Sequence, residues 1–530
     1  MRAVTLIAVL AGLGGCRSDA QAVPAGPGSG FKPDRMAELF FTTGLAGYIE
    51  PCGCTSNPLG GLPRMATVVG RSKVDHALVD AGQLLLPTEA IEDLARPQHR
   101  AKAHLLARAF RKMNVAAFNL SPSDLVEGTG FLAELQKEGA VPWVSSNVRP
   151  RSDRGPEVAR SYLRVLGGIR WGITGVAIPE RIAETSDDFA ALELVPAVET
   201  EVETLREDGA EVVVVLGHLP PADAAELARA VPGIDVLIRS PGTPIERPPN
   251  PPERVGSVVI VEAGQQGQYL GRLRVGLASS RAVRPLLLDD AGAHAAAERA
   301  RLERKIAALD KEIARFGAIP GQEAARAARS KVRDRLAARR AAIVPRASTP
   351  EGPYLSVNIV PLDTSVPNDD GMRSLIVAYD QALREMNAKR GDPSACVAEE
   401  GAPRYVGSKA CSGCHPQASA LWATTAHSRA WATLEEKGKD FDLTCVGCHS
   451  VGYREPGGYC SLSEVAMYRN VGCENCHGPG SAHIAAPTEG HIDRARTERT
   501  CTRGCHVPEH SDAFVYESYV QKILGAGHGR

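Results

Sequence analysis

The chain is 530 residues long, with 61 Lys and Arg against 62 Asp and Glu and a formal net charge of −1. That balance indicates no polyanion partner and argues against nucleic-acid binding. The length suits about two to four domains. Thirteen cysteines make the order in which they occur informative.

The chain opens Met1-Arg2 and runs apolar from Ala3 to Leu13 before reading Leu13-Gly14-Gly15-Cys16. A positive start, a short apolar stretch and small residues predict a secretory signal over 1–15. The stretch is too short to be a permanent bilayer span, and no later run is long and apolar enough to be one. Leu-Gly-Gly before Cys16 resembles a bacterial lipobox, which implies cleavage ahead of Cys16 and lipid on its thiol. The expected location is periplasmic or at the cell surface, anchored by lipid to a bacterial membrane. Residues 16–35, rich in Pro, Gly and Ala, read as a flexible tether.

From 36 to 290 short apolar strands alternate with helical stretches. Strand candidates are Leu39–Thr42, Ala77–Val79, Val115–Phe118, Trp143-Val144, Trp171–Gly175, Glu211–Leu216, Val236–Ile238 and Val258–Val261. This predicts an α/β domain with a large buried sheet. Residues 291–345 turn to Ala, Arg, Glu and Lys. Leu302, Ile306, Leu309, Ile313 and Phe316 form a heptad seam, Gly317 to Gly321 interrupts it, and Val332, Leu336 and Ile343 follow, so a helical hairpin is expected. Residues 346–402 read as a strand over 353–363, a helix over 371–390 and a polar connector.

Residues 403–530 hold four haem-attachment signatures: Cys411-Ser-Gly-Cys414-His415, Cys445-Val-Gly-Cys448-His449, Cys473-Glu-Asn-Cys476-His477 and the stretched Cys501-Thr-Arg-Gly-Cys505-His506. In C-x-x-C-H two cysteines bond the porphyrin vinyl groups and the adjacent histidine reaches the iron. Zinc is the competing reading, since paired cysteines also build Cys₄ sites. A zinc ribbon has no reason to place His after the second Cys every time. Four haem c groups are expected, with the extra residue making the fourth the irregular one. Five further histidines lie beyond residue 410, His427, His483, His491, His510 and His528, and supply candidates for the second axial position. Cys52, Cys54, Cys396 and Cys460 remain for disulfides or other roles, with their pairing open.

The stretch Tyr405–Arg530 resembles the cytochrome c-554 family of tetrahaem cytochromes. The text that carries the resemblance is YVGSKACSGCHPQ, LWATTAHSRAWATL, TCVGCHSVGY, NVGCENCHGPGSAH and CHVPEHS. It implies a mainly helical and irregular fold and makes His427, His483 and His528 the distal ligands. Three distal histidines for four haems would leave one iron five-coordinate, unless His491 or His510 closes it.

Residues 36–277 resemble the metallophosphoesterase domain of the periplasmic 5′-nucleotidase family, with four-layer architecture and mixed sheets. The matching stretches are TTGLAG, GGLPRMAT, LVDAGQ, LGH, GIDVLI, VEAG and YLG. That family hydrolyses phosphate esters with two metal ions. Carried over, Gly44 and Ala46 stand at the Asp-x-His positions, Gln83 at the Gly-Asp aspartate, Leu120 and Ser121 at Asn-His, and Pro241 and Thr243 at His-x-His. His218 alone is retained, and one imidazole cannot hold a dinuclear centre. No phosphoesterase activity and no dinuclear metal are expected. Cys52-Gly53-Cys54 follows at the mouth of that site, where two thiols could bind a soft metal, cycle as a dithiol or serve in a structural disulfide.

The expected function is extracytoplasmic electron transfer by a multihaem c-type cytochrome with redox partner proteins. The competing readings are a haem enzyme acting on a small nitrogen or sulfur compound at an open iron, residual hydrolysis in the front domain, and ligand capture there.

Overall fold

The structure, a computed structural model, describes residues 31–51, 58–89, 91, 93, 95–139, 141–241, 249–278, 286–344, 351–389, 391, 396–489, 492, 497–502, 504–507, 511 and 514–525. Cys16, Cys52, Cys54, Thr243, His491, His510 and His528 lie outside the described residues.

Fifteen strands are seen among the described residues: β1 Arg35–Thr42, β2 Asp75–Asp80, β3 Val115–Asn119, β4 Trp143–Val144, β5 Val148–Pro150, β6 Ser161–Leu166, β7 Ile169–Ala177, β8 Phe189–Ala191, β9 Val212–His218, β10 Val236–Ser240, β11 Glu253–Val255, β12 Val258–Val261, β13 Tyr269–Leu277, β14 Leu287–Asp289 and β15 Tyr354–Pro361. They form a seven-stranded sheet in the order β14-β15-β13-β1-β2-β3-β4, a six-stranded sheet in the order β11-β12-β10-β9-β7-β6 and a two-stranded ribbon of β5 and β8. The two large sheets are mixed: β1 runs parallel to β2 and antiparallel to β13, while β7 runs parallel to β9 and antiparallel to β6.

Alternation along the strands builds the layers. Leu39 and Phe41 of β1 face the same core as Val212 and Val214 of β9, between the two sheets. Phe40 faces the opposite way, toward the helices Arg96–Lys112 and Asp370–Ala388. Val213 and Val215 face the helices Leu194–Glu207 and Pro221–Ala230. The result is helix, sheet, sheet, helix. Gly271 on β13 is needed where the sheets are crowded, because a Cβ there would run into the Phe41 ring.

The tertiary structure alters the sequence reading in three places. The β13 strand is absent from the strands expected from sequence, because Gly271, Arg272, Arg274 and Gly276 interrupt its apolar run; Arg274 is held by an ion pair to buried Glu38 of β1. The β6 strand is also absent from them, because it lies at a sheet edge, where Leu163 and Val165 stay exposed. The stretch 346–402 is more than a connector: β15 pairs with β13 over eight residues and belongs to the front sheet.

The hairpin consists of the helices Ala291–Gly317 and Glu323–Ala341. Only the first half of the inner helix is buried, from Ala293 to Leu302, against the sheet edge; the outer helix has no buried residue. The apolar seam is therefore incomplete. Cross-helix ion pairs supplement it, from Arg329 to Glu312 at 2.5 Å, Arg333 to Asp310 at 3.0 Å and Arg339 to Glu298 at 2.8 Å.

The C-terminal region has short helices around a small core of Trp431, Leu434, Val446, Tyr459 and Val465. It meets the front domain through the segment 438–443. Lys439 pairs with Glu50 at 2.6 Å and with Asp380 at 2.7 Å. Gln98 donates to Asp442 at 2.6 Å, and Asn387 donates to the Gln98 side chain and to the Phe441 carbonyl, each at 3.0 Å. Among the described residues no helix is long and apolar enough to cross a membrane.

Candidate functional site

The second motif sits on the helix Leu443–His449, started by the Asp442 side chain accepting from the Thr444 N–H at 3.0 Å. Helical spacing puts Cys445 and Cys448 on one face one turn apart. Burial raises the Asp442 carboxyl pKa, but the Lys102 charge and hydrogen bonds from Thr444 and Gln98 bring it below the ordinary value. The cap is thus a charged acceptor, which strengthens it.

The third motif occupies Cys473–His477, and its two central residues tie it in place. Glu474, 3% exposed, accepts from the backbone N–H groups of Val406, Gly407 and Gly480 at 3.0, 2.8 and 2.7 Å. Asn475 donates to the Ser450 carbonyl at 2.9 Å, directly after the second motif's histidine. Cys411 precedes the helix Pro416–Thr424, and Cys501 sits on the helix Glu498–Thr502.

All eight motif cysteines stand outside disulfides, as covalent haem attachment requires. The Cys411 and Cys473 thiols are hydrogen-bonded to each other, which lowers the Cys473 pKa to about 6 and pushes Cys411 up. Cys505 is pushed up by its hydrogen bond with Cys448 and by burial. The first motif therefore lies against the third, and the second against the fourth. Cys396 and Cys460, whose pairing is open in the sequence, form a disulfide with Cα atoms 5.6 Å apart.

Four of the histidines lie in two neighbouring pairs. The His415 and His483 rings are 6.1 Å apart at 25°, and the His427 and His506 rings 6.2 Å apart at 49°. Two imidazoles on opposite sides of one metal, each nitrogen about 2 Å from it, have ring centres roughly 6 Å apart. The spacing fits one iron between each pair. His449 Nδ1 lies 2.6 Å from the Ala430 carbonyl, to which it donates, leaving Nε2 as the ligating atom. His506 Nδ1 bonds Ser511 Oγ at 2.9 Å. Burial lowers the pKa of His427, and burial followed by the neighbouring His427 lowers that of His506. Both shifts favour the neutral ring that binds metal. The residues present therefore fit haem c. His477 lies on its motif helix beside Cys476, and His528 is outside the described residues.

In the front domain, Gly44, Gln83, Ser121, His218 and Ser240 converge at the ends of the strands. A Cβ on Gly44 would lie 3.5 Å from Gln83 Oε1 and 3.7 Å from Ser240 Oγ. Gly82, at φ +108°, lets the chain pass Ser121 and His218, where a side chain would press on both. The two carboxylates here are committed to the scaffold. Asp80 accepts from Thr42 Oγ1 at 2.6 Å and the Gly82 N–H at 2.8 Å. Asp124 accepts from Ser121 Oγ at 2.5 Å, the Leu85 N–H at 2.8 Å and the Gln83 N–H at 3.1 Å. Burial raises both carboxyl pKa values. His218 is lowered to about 4, by burial first and then by Arg181, and its buried Nδ1 has no hydrogen-bond partner among the described residues. Ala46 lies on the same loop at φ 54°, Leu120 is buried in the core, and Pro241 follows β10. Among the described residues the one cluster with metal-ligand spacing is His104, Glu134 and Glu138, away from this site on two outer helices.

The family model described as cytochrome c554 and c-prime matches residues 410–478. Cytochrome c-554 of Nitrosomonas europaea is 38% identical over 91 residues, covering 14% of this chain and 39% of that protein. A 5′-nucleotidase precursor from Thermus thermophilus is similar in fold at 18% identity, with 69% of this chain and 61% of that one covered and a TM-score of 0.45. The sulfate thiohydrolase SoxB of Thermus thermophilus shows 14% identity, coverage of 70% and 64%, and a TM-score of 0.43. The chain thus spans about two fifths of the cytochrome's length and about three fifths of the nucleotidase's. The two structural likenesses are of fold and carry no activity to this chain.

Proposed function

We propose that this chain, whose residues 410–478 match cytochrome c554, is a lipid-anchored, extracytoplasmic electron carrier with four haem c groups and a front domain that does not hydrolyse phosphate esters. The observation that carries the reading is the pairing of motif histidines with non-motif histidines at 6.1 and 6.2 Å. Cys411 and Cys414, Cys445 and Cys448, Cys473 and Cys476, and Cys501 and Cys505 would attach the groups, with His415, His449, His477 and His506 as proximal ligands. His483 would be distal at the first group and His427 at the fourth. Haem supplies a one-electron iron couple. The chain orients the ligands through Ala430 and Ser511 and locks the motifs together through Glu474 and Asn475. Close contact of motif one with three, and of two with four, supports electron hopping between neighbouring groups.

The loss of metal-ligand types at Gly44, Ala46, Gln83, Leu120 and Ser121, with Asp80 and Asp124 bound to backbone and hydroxyls, supports a front domain without a dinuclear centre. A retained hydrolase is the reading this replaces.

A second reading makes the chain a haem enzyme for a small nitrogen or sulfur compound. Facing imidazoles are seen for His415 and His506, and an iron at His449 or His477 would be open if none of His491, His510 and His528 reached it. Electron paramagnetic resonance and absorption spectra of haem-loaded protein, with and without carbon monoxide or nitric oxide, separate the two. Wholly low-spin spectra indifferent to either gas support the carrier alone. A high-spin signal that shifts on adding gas supports the enzyme. A haemochrome assay giving fewer than four haems per chain would sink the four-haem count.

A further inference from the structure

The hairpin carries a charge asymmetry that electron hopping inside the C-terminal region does not use. Residues 291–341 hold thirteen Lys and Arg against six Asp and Glu, a formal +7 in a chain whose total is −1. Much of the acidic complement is already engaged, since Asp310 and Glu312 pair with Arg333 and Arg329. The hairpin tip does not stand alone. Arg315 pairs with Glu517 at 2.9 Å, and Gln521 donates to the Ala318 carbonyl at 3.1 Å, so the tip grips the short helix Tyr516–Val520.

Between tip and helix lies a cavity of about 580 Å³, whose walls include Lys311, Arg326, Lys522 and Tyr519. The Tyr519 ring meets the His506 ring edge to face at 5.9 Å, and the Phe514 ring stacks on His506 at 4.3 Å. Lys522 sits over the Tyr519 ring at 4.4 Å. A cationic groove thus ends one aromatic ring away from a haem-ligand candidate.

Resting on the electron-carrier reading above, we infer that the hairpin tip and the Tyr516–Val520 helix form the docking surface for the acidic face of a small electron-transfer protein, which exchanges electrons at the fourth haem motif. Charge complementarity argues for that occupant. Transient redox encounters use small interfaces steered by opposite charge, and this surface joins an excess of positive charge to the site of exchange. One electron would pass from the carrier to the haem that Cys501, Cys505 and His506 would hold, with no bond made or broken.

The test is stopped-flow reduction of the oxidised, haem-loaded full chain by reduced flavodoxin, a small acidic carrier, and separately by neutral reduced riboflavin. The flavodoxin rate should fall at least about tenfold from low to roughly 0.3 M salt. The charge-reversal variant Lys311→Glu/Arg326→Glu/Lys522→Glu should lose about tenfold at low salt and most of the salt dependence, while the riboflavin rate changes less than about twofold. Arg315 is left intact so that the helix stays attached. A variant reduced by flavodoxin as fast as the parent overturns the docking surface and leaves the electron-carrier reading standing. A variant that keeps the flavodoxin rate but, with Cys16→Ser added to it and to the parent alike, no longer sediments with phosphatidylglycerol vesicles as the parent does makes the hairpin a membrane contact instead. A parent chain that accepts no electron even from riboflavin removes the carrier reading itself, and the docking surface with it.

Discussion

Lys439 Nζ lies 2.6 Å from Glu50 Oε2, joining the segment that leads into the second haem motif to the loop at the mouth of the front-domain site. Asp380 takes the same ammonium at 2.7 Å, and the lysine side chain is 20% exposed. Two carboxylates from the front domain therefore share one cation from the C-terminal region. With Gln98, Asn387 and Asp442 they make a part-buried polar junction.

Lys439→Met should weaken this junction more than an exposed ion pair would, because it leaves two carboxylates without their cation. A loss of about 1–3 kcal/mol is expected. Urea unfolding followed by haem absorbance and by far-ultraviolet circular dichroism should coincide in the parent and separate in the variant. Coincident curves in both would show that the lysine does not couple the domains.

His483→Ala and His427→Ala should each convert one low-spin haem to high-spin. The new signal should respond to carbon monoxide, and the total haem content should stay the same. Retention of a wholly low-spin spectrum in either variant would remove that histidine as an axial ligand.

Glu474→Gln keeps the shape of a buried side chain but replaces a charged acceptor of three N–H groups with an amide. Hydrogen bonds to a charged group contribute more than neutral ones, so a loss of about 2 kcal/mol is expected. The readouts are the urea midpoint and the haem stoichiometry, with the third motif the first to be under-loaded.

The front domain should lose stability in mild acid. His218 and His99 are both lowered to about 4, by burial first, with the Arg181 charge added at His218 and Lys102 at His99. Their unfolded values are about 6.5. Between those limits the unfolded chain binds protons that the folded chain does not, so the stabilisation is complete above pH 6.5 and is lost as pH falls toward 4. The effect is on the order of 2 kcal/mol for His218. Denaturant midpoints at about pH 7.5, 6 and 5 would trace it, and His218→Gln should flatten the slope.

Added Mn²⁺ should neither raise the melting temperature of the front domain nor produce phosphomonoester hydrolysis, because a ligand stabilises only the state that binds it. A rise in melting temperature that is lost in His218→Gln would show a retained metal site.

The covalent chemistry is open to reading because C-x-x-C-H is local: attachment and proximal ligation come from neighbours in the chain, and no fold is needed to bring them together. The α/β alternation is equally local, since strands buried on both faces write runs such as Val212 to Leu216. Edge and interrupted strands are hidden because their side chains answer to partners elsewhere, as Arg274 does to Glu38. The likeness of the front region to phosphoesterases likewise rests on short stretches of neighbouring residues.

Only the tertiary structure decided which histidine faces which. His415 with His483, and His427 with His506, are pairings across long loops, and nothing in local spacing specifies them. It also decided that Cys396 bonds Cys460, that β15 joins the front sheet, and that the tip of the hairpin reaches the helix beside His506. Sequence by itself determined the chemistry carried by neighbouring residues. Long-range packing determined the relations between distant ones, because those depend on which apolar faces are buried against each other.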